Sequence, residues 1–289
     1  MPELPEVEVV RRSLDTLICG LKIKKVDILN NKLRYVINPK VKNVLKNLKI
    51  ISVKRRGKFL LINIENNKTL LVHLGMTGKI LILNKRKKIS LKTSFYYNLQ
   101  IDKKHNHLRI KFNNYKELIY NDVRKFGFIK LLKTNNIGSC INLLNLGPEP
   151  LSKSFNFKYL KFKCLKSQKN IKNFLMDQKY VSGIGNIYAN EIIHLSTISP
   201  RKKVYNLSAK KISLLVKNVK KILKEAIRFG GSSIKDFRGI GGDKGNFQQK
   251  FRVYNREGCT CKKKACGGLI KKIYISNRSS FFCSICQNN

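Results

Sequence analysis

Apolar positions in the first 134 residues change from a helical pattern to an alternating one. Four of them recur every three or four residues: Val7, Val10, Leu14 and Leu17. This spacing predicts one apolar face of a helix, and Pro5 suits its first turn. Short β-type runs follow, at residues 22–29, 49–54, 58–64, 69–74, 79–83, 107–112, 117–121 and 126–132. Many short strands with turn signals favour a two-sheet β-sandwich, and the Lys-rich residues 84–106 predict an exposed loop.

The pattern becomes helical again after residues 146–150, where glycine and proline mark a boundary. Apolar positions on either side of the glycine turn at 182–186 predict two helices. A longer apolar face predicts a third helix that ends at Gly230–Gly231. Residues 250–286 return to short strands. The chain is therefore expected to have an α+β fold with a boundary after the β-rich half.

The charge of the chain points to a polyanionic partner. Its 289 residues carry a formal net charge of +45, with 42% hydrophobic residues. Such a composition suits a globular protein with a basic surface, and nucleic acid is the commonest polyanion. An AT-rich genome, which enriches Lys, Asn and Ile, would produce part of this excess without selection for binding.

Targeting signals are missing from the sequence pattern. Residues 1–12 are charged instead of apolar, and no stretch approaches the roughly 18 apolar residues of a membrane span. We therefore expect a cytoplasmic protein without membrane association. Disulfides are rare in the cytoplasm, so the spacing of the eight cysteines favours a metal site over a disulfide framework.

Four cysteines near the end of the sequence form two close pairs: Cys261, Cys266, Cys283 and Cys286. Two pairs of thiolates that flank a strand-like stretch predict one structural Zn²⁺ in a β-hairpin, with no open position for catalysis. Cys259 could compete for the metal, but Gly267–Gly268 resembles a metal-knuckle turn and favours Cys266 with Cys261. Unligated reduced thiols are the alternative. The other three cysteines are expected to pack or lie on the surface.

The first residues offer a nucleophile. Removal of Met1 would leave the secondary amine of Pro2, and an α-amino group has a pKa of about 8 against about 10.4 for lysine. A helix N-terminus lowers such a pKa further, and the neighbouring Glu3 could move protons in imine chemistry. A Pro/Glu-rich helix start without chemistry is the alternative.

Further motifs accompany this start in one order along the chain: residues 73–78 (HLGMTG), 121–127 (NDVRKFG), 183–189 (GIGNIYA) and the cysteine hairpin. Together they closely resemble the formamidopyrimidine-DNA glycosylases, bacterial enzymes that excise 8-oxoguanine and ring-opened purines. The resemblance implies an N-terminal helix plus β-sandwich domain, a helix–two-turn–helix domain and a zinc finger. We place these at residues 1–134, 135–235 and 236–289, with the finger at about 250–286.

The resemblance also implies catalytic roles. Pro2 would form a Schiff base with the sugar of the damaged nucleotide, and Glu3 would donate a proton. Lys58 matches the lysine associated with β-elimination, and Arg278 matches the arginine associated with δ-elimination. Such chemistry releases the base and nicks the abasic site without a redox or organic cofactor. The expected partner is double-stranded DNA that contains oxidised purines, bound by a monomer.

DNA contacts follow from the same resemblance. An enzyme that flips a nucleotide out of the duplex needs side chains to fill the gap, and Met76, Arg124 and Phe126 match these. The residues that would contact the DNA backbone or flank the site are His73, His105, Lys166, Asn186 and Arg278. Residues 235–245 match the loop over the everted base.

The motifs depart from the family pattern at two places. Lys125 stands where an arginine is common in the family, and it keeps the positive charge but lacks the planar guanidinium that makes two-pronged contacts. Ser167 and Gln168 interrupt a basic cluster, which weakens the assignment of Lys166. Two alternatives stay open: an endonuclease VIII-type glycosylase for oxidised pyrimidines, and a non-enzymatic zinc-containing DNA-binding protein.

Overall fold

The computed structural model describes residues 2–84, 89–91, 102–232 and 246–288. Within these ranges the chain forms two compact units: residues 2–144 with 230–232, and residues 145–229 with 246–288. Helices and antiparallel strands occupy separate parts of the chain, which confirms the predicted α+β fold. The division into three domains remains a prediction.

The first unit begins with the predicted helix, α1 (Leu4–Ile18), in which Val7, Val10 and Leu14 are fully buried and Leu17 is partly buried against the same core. Its strands are β1 (Ile23–Ile28), β2 (Ile50–Arg56), β3 (Phe59–Ile64), β4 (Lys68–His73), β5 (Lys79–Asn84), β6 (Ile89–Leu91), β7 (Asn106–Phe112), β8 (Lys116–Asn121) and β9 (Phe128–Lys133). Two short helices, α2 (Val41–Val44) and α3 (Ile141–Leu144), complete it. Eight of the nine strands that the described residues form in this unit coincide with the predicted β-type runs.

Two antiparallel sheets hold these strands, one with the order β1-β7-β8-β5-β6 and one with the order β2-β3-β4-β9. Apolar side chains from both sheets and from α1 form one buried cluster, as in the predicted sandwich. Arg56 pairs with Phe59 across a two-residue turn, so Lys58 lies at the end of the second sheet.

The predicted loop at 84–106 is partly wrong. Residues Ile89–Leu91 form β6, which pairs with β5, and Lys103–His105 form a 3-10 turn. A three-residue edge strand gives too short an alternation to stand out among lysines. Residues 85–88 and 92–101 lie outside the described ranges.

The second unit is mainly helical: α4 (Phe157–Leu165), α5 (Ile171–Met176), α6 (Asn186–Leu195) and α7 (Ala209–Arg228). The glycine turn separates α5 from α6 as predicted, and α7 ends before Gly230. Side-chain oxygens of Asn156, Asn170 and Ser208 each accept the backbone N–H of the third residue of α4, α5 and α7, respectively.

A hairpin of β10 (Ile270–Ile275) and β11 (Arg278–Cys283) ends the second unit. The prediction of further strands from residue 250 is wrong: residues 247–269 consist of a 3-10 turn, bends and one isolated bridge. A small apolar cluster (Val253, Ile270, Phe281 and Cys283) is the core around the hairpin. None of the helices in the described ranges is long and apolar enough to span a bilayer.

Candidate active site and metal centre

The predicted nucleophile and proton donor lie at the start of α1. Pro2 is buried, and Glu3 is 2% exposed at the N-cap position. The Glu3 backbone N–H donates to Glu6 Oε2 at 2.9 Å. The other oxygen, Glu6 Oε1, accepts from the backbone N–H of Ser232 at 2.8 Å and from its hydroxyl at 3.0 Å. Glu6 therefore ties the first residues of the chain to the segment at 230–232.

A second set of contacts connects α1 to the turn that carries Lys58. Arg55 donates Nε–H to Glu8 at 3.0 Å and Nη1–H to the carbonyl of Gly57 at 3.0 Å. Gly57 has a φ of +57°, as the first position of a type II′ turn requires. Burial raises the pKa of Glu8, but the bonds from Arg11, Arg55 and Arg12 outweigh it and hold that pKa below its usual value. Lys58 itself is 7% exposed.

His73 lies beside this turn because it pairs with Phe59 across β3 and β4. Its ring stacks on Phe128 with centroids 5.5 Å apart. Burial, with the positive charges of Lys58 and Arg34, lowers the pKa of His73 to about 4. The Gly75 backbone N–H donates to Nδ1 at 3.1 Å, so the neutral ring carries its proton on Nε2.

The proposed gap-filling residues lie around one open depression in the first unit. Met76, Arg124 and Phe126, with His73 and Arg34, line a volume of about 670 Å³. Met76 and Phe126 are 40% and 46% exposed, and the Arg124 guanidinium lies 4.7 Å from the Phe126 ring centre. Met76 and Phe126 thus present apolar surface at this depression, beside the Arg124 cation.

Asp122 shapes the loop that presents Arg124 and Phe126. Its carboxylate, which is fully buried, accepts from the Thr77 hydroxyl at 2.5 Å and from the Gly127 N–H at 2.8 Å. The Arg124 N–H donates to the Thr77 hydroxyl at 3.0 Å. A Cβ on Gly127 would lie 1.8 Å from the Tyr120 hydroxyl, so only glycine fits there.

His105 and His107, which lie two positions apart, differ in their surroundings. His107 is fully buried, and its ring nitrogens contact the carbonyl oxygens of Asn30 and Asp122. His105 ends a 3-10 turn, and its side chain is 23% exposed. The predicted DNA contact at His105 thus falls on the accessible histidine of the pair.

In the second unit, Arg278 and Asn186 come together at the β10–β11 turn. Ser276 and Asn277 both have positive φ, which gives the type I′ turn that places the exposed Arg278 first in β11. Asn186, the first residue of α6, donates to the Ser279 carbonyl at 3.2 Å. Lys172 donates to the same carbonyl at 2.8 Å and to that of Arg278 at 3.3 Å.

The four predicted ligand cysteines converge at the base of the hairpin. The Sγ atoms of Cys261, Cys266, Cys283 and Cys286 all lie within 4.8 Å of one another. Such a set of four thiols fits tetrahedral zinc. Gly267 has a φ of +59°, and a Cβ on Gly268 would lie 2.6 Å from Cys283 Sγ, so the turn after Cys266 requires glycine. Cys259 is exposed and outside this set.

Two further predictions concern Lys166 and the loop at residues 235–245. Lys166 is exposed at the end of α4, where its Nζ lies 4.3 Å from the Phe162 ring centre. The predicted loop over the everted base, residues 235–245, lies outside the described ranges.

Sequence reasoning missed several polar residues that organise these sites: Glu6, Asp122, Lys172, Glu191 and His194. Glu6 had a signal, because an acidic residue three positions after an N-cap is typical of a capping box. Lys172 and His194 lie on buried helix faces. A polar residue at an apolar position was their signal, but the sequence does not reveal its partner.

Family comparisons agree with this arrangement. Residues 1–129 match the formamidopyrimidine-DNA glycosylase N-terminal domain, and residues 146–238 match the formamidopyrimidine-DNA glycosylase H2TH domain. A formamidopyrimidine-DNA glycosylase of Dinoroseobacter shibae is 38% identical, with 99% of this chain and 100% of the relative covered. One of Rickettsia bellii is 40% identical, with 99% of each chain covered.

Solved structures agree as well. A Lactococcus lactis Fpg mutant in complex with Fapy-dG-containing DNA is 35% identical and superposes with a TM-score of 0.87 over 100% of both chains. The Lactococcus lactis Fpg in complex with abasic-site DNA gives 0.86, with 99% of this chain and 100% of that chain covered. These matches cover both compact units, and the chain therefore belongs to the formamidopyrimidine-DNA glycosylase family.

Proposed function

We propose that this protein removes oxidised purines, such as 8-oxoguanine and formamidopyrimidines, from duplex DNA and then nicks the strand by β,δ-elimination. The observation that carries the proposal is the buried Pro2–Glu3 pair at the start of α1, in a chain of this family. Structures of relatives with abasic-site and Fapy-dG DNA support the substrate class.

Pro2 is the proposed nucleophile once Met1 has been removed. The positive end of the α1 dipole favours the neutral amine and lowers its pKa. The amine attacks C1′ of the damaged nucleotide, the C1′–N bond to the base breaks, and the base leaves with that electron pair and a proton. The sugar ring then opens: the C1′–O4′ bond breaks, O4′ takes a proton, and an iminium ion forms between Pro2 and C1′. This cation acidifies C2′, which enables elimination.

Glu3 is the proposed proton donor beside this amine. The Glu3 backbone N–H donates to the Glu6 carboxylate, which also accepts the backbone N–H of Ser232. This holds the Glu3 backbone beside the amine, and proton transfer requires such a fixed arrangement.

Lys58 and His73 are proposed to serve the sugar and its phosphate. Loss of the C2′ proton expels the 3′-oxygen in β-elimination, with which Lys58 is associated. A second elimination, associated with Arg278, expels the 5′-oxygen. His73 is neutral with its proton on Nε2, so it would donate a hydrogen bond to a phosphate without titrating near pH 7.

The depression beside His73 supports the proposed flipping step. Met76 and Phe126 would replace lost stacking, and Arg124 would hydrogen-bond the orphaned base. The short bonds of Asp122 to Thr77 and Gly127 hold the loop ready for this insertion. Extrusion of a base costs a few kcal/mol, which the inserted side chains would offset by their new contacts with the DNA.

Further proposed contacts with the DNA come from residues of both units. Asn186 begins α6, where free N–H groups favour phosphate, and Arg278 lies on the adjoining turn. His105 and Lys166 are proposed as further DNA contacts. The cysteine cluster is proposed to hold one structural Zn²⁺, which when bound would fix the β10–β11 hairpin that carries Arg278.

Substrate choice is tested with matched duplexes. Purified protein is incubated with strands that carry 8-oxoguanine opposite cytosine or an oxidised thymine opposite adenine. Faster nicking of the 8-oxoguanine strand supports the proposal, and preference for the oxidised pyrimidine supports the endonuclease VIII alternative. Tight binding without release of either base would support a non-enzymatic DNA-binding protein.

A further inference from the structure

His194 is fully buried on the last turn of α6, and its imidazole faces the cysteine cluster. Its Nε2 lies 3.3 Å from the Sγ of Cys261. The other ring nitrogen, Nδ1, is buried and has no hydrogen-bond partner among the described residues. Because buried polar groups are usually hydrogen-bonded, we infer that the contact with Cys261 holds the imidazole ring in position.

We propose that His194 donates its Nε2–H to the metal-bound thiolate of Cys261 and thereby stabilises the metal centre. The inference rests on the proposed zinc site. A thiolate bound to a metal has no proton, so sulfur is the acceptor and Nε2 must be the donor. Four thiolates around Zn²⁺ leave excess negative charge, and a hydrogen bond to one sulfur offsets part of it.

The geometry distinguishes this role from that of a fifth ligand. Among the described residues, the candidate metal-binding group here consists of the four Sγ atoms, which lie within 4.8 Å of one another. No nitrogen of His194 belongs to that group. The Cys261 sulfur also accepts a hydrogen bond from the backbone N–H of Lys263, and the His194 side chain adds a second contact from another element. His194 thus approaches Cys261 from outside the cluster.

The contact between His194 and Cys261 also attaches the C-terminal end of α6 to the cysteine cluster. Asn186 opens the helix and binds Ser279, while Asn190 accepts the Phe281 N–H at 2.8 Å. His194 adds an attachment one turn further along. The helix that presents Asn186 is therefore positioned partly through Cys261, which makes His194 a positioning residue.

The most direct test determines the tautomer of His194 in the full-length, zinc-loaded protein. Long-range ¹H–¹⁵N NMR distinguishes a protonated nitrogen from a bare one, and the chain has four histidines to assign. We expect a proton on Nε2 and a bare Nδ1. A neutral ring with its proton on Nδ1 would overturn the proposal, because Nε2 could then donate nothing to the sulfur.

Variants provide the second test. H194F removes the donor, H194Q keeps an N–H near the Nε2 position, and I192V is a matched control in the same buried helix. Zinc release after addition of an organomercurial is followed with a chromogenic chelator, and the sulfur-to-cobalt band is recorded after Co²⁺ substitution. For H194F we expect zinc release that is faster by roughly 10-fold or more and a red shift of the sulfur-to-cobalt band. For H194Q and I192V we expect neither change.

Native rates and an unshifted band in H194F would overturn the proposal. Failure of the metal site itself is recognised separately, by measuring the zinc content of the native protein. Less than one equivalent there, even after incubation with zinc, would overturn the metal site and this inference together.

Discussion

Lys172 Nζ donates a hydrogen bond to the carbonyl oxygen of Ser279 at 2.8 Å from a fully buried position. The same ammonium reaches the Arg278 carbonyl and the Ser280 hydroxyl. Burial, with the nearby charge of Arg278, lowers the pKa of Lys172 to about 8. A desolvated cation thus holds the turn that presents the residue proposed for the second elimination.

Replacement of this lysine should therefore act on Arg278. K172M removes the ammonium donor from the Ser279 and Arg278 carbonyl oxygens, which keep only the neutral donors of Asn186 and Ser280. Loss of a hydrogen bond from a charged group costs roughly 1.5–3 kcal/mol. We expect lower stability and an accumulation of β-elimination product over β,δ-product on a labelled duplex. K169M, which removes an exposed lysine paired with Asp177, is the control. An unchanged product ratio in K172M would contradict the positioning role.

His73 should make stability depend on pH in a defined window. Its pKa is lowered from 6.5 to about 4 in the folded protein, so between these values the unfolded chain binds a proton that the folded one does not. Stability from this group is complete above pH 6.5 and is lost as the pH falls towards 4. Urea unfolding of native protein and H73F should show a shallower pH dependence in the variant. Equal slopes would disprove the lowered pKa.

Glu6 should affect the chemical step more than binding. E6A removes the acceptor for the Glu3 and Ser232 N–H groups, which lets the amine and its proton donor shift. A displacement of about 1 Å can cost on the order of 100-fold in rate, so we expect kcat to fall by that amount with KM nearly unchanged. E65A also removes a carboxylate that accepts a backbone N–H, but at the surface. A comparable loss of kcat in E65A would refute this explanation.

Much of the fold could be predicted because its signals are local. The spacing of Val7 and Val10 follows from burial of one helix face, and the strands follow from alternation between a core and solvent. The cysteine pairs and the Pro2–Glu3 start are similarly local. Their pattern identified the candidate site before any contact was known.

Other parts depend on contacts between distant segments. Lys172 meets Ser279 across more than a hundred residues, and Ser232 reaches Glu6 across more than two hundred. Glu191 accepts three consecutive backbone N–H groups from Arg252, Val253 and Tyr254. A sequence pattern shows the polar residue at a buried position but not the partner that makes its burial possible.

Metal removal should unfold the hairpin locally. Few apolar side chains surround β10 and β11, so the four thiolates need a metal to stay together. We expect a strong chelator under mild denaturation to abolish binding to abasic-site DNA while the first unit keeps its β-type circular dichroism. Zinc should restore binding. Full binding by protein shown to be free of metal would contradict a structural role.

The central claim is the Pro2 nucleophile, and reductive trapping tests it most directly. The protein is incubated with an 8-oxoguanine duplex and borohydride, and the covalent complex is digested and sequenced by mass spectrometry. We predict that the sugar remnant lies on an N-terminal Pro2 from which Met1 is absent, and that P2G traps far less. A complex attached to Lys58 or another lysine, or undiminished trapping by P2G, would contradict the account.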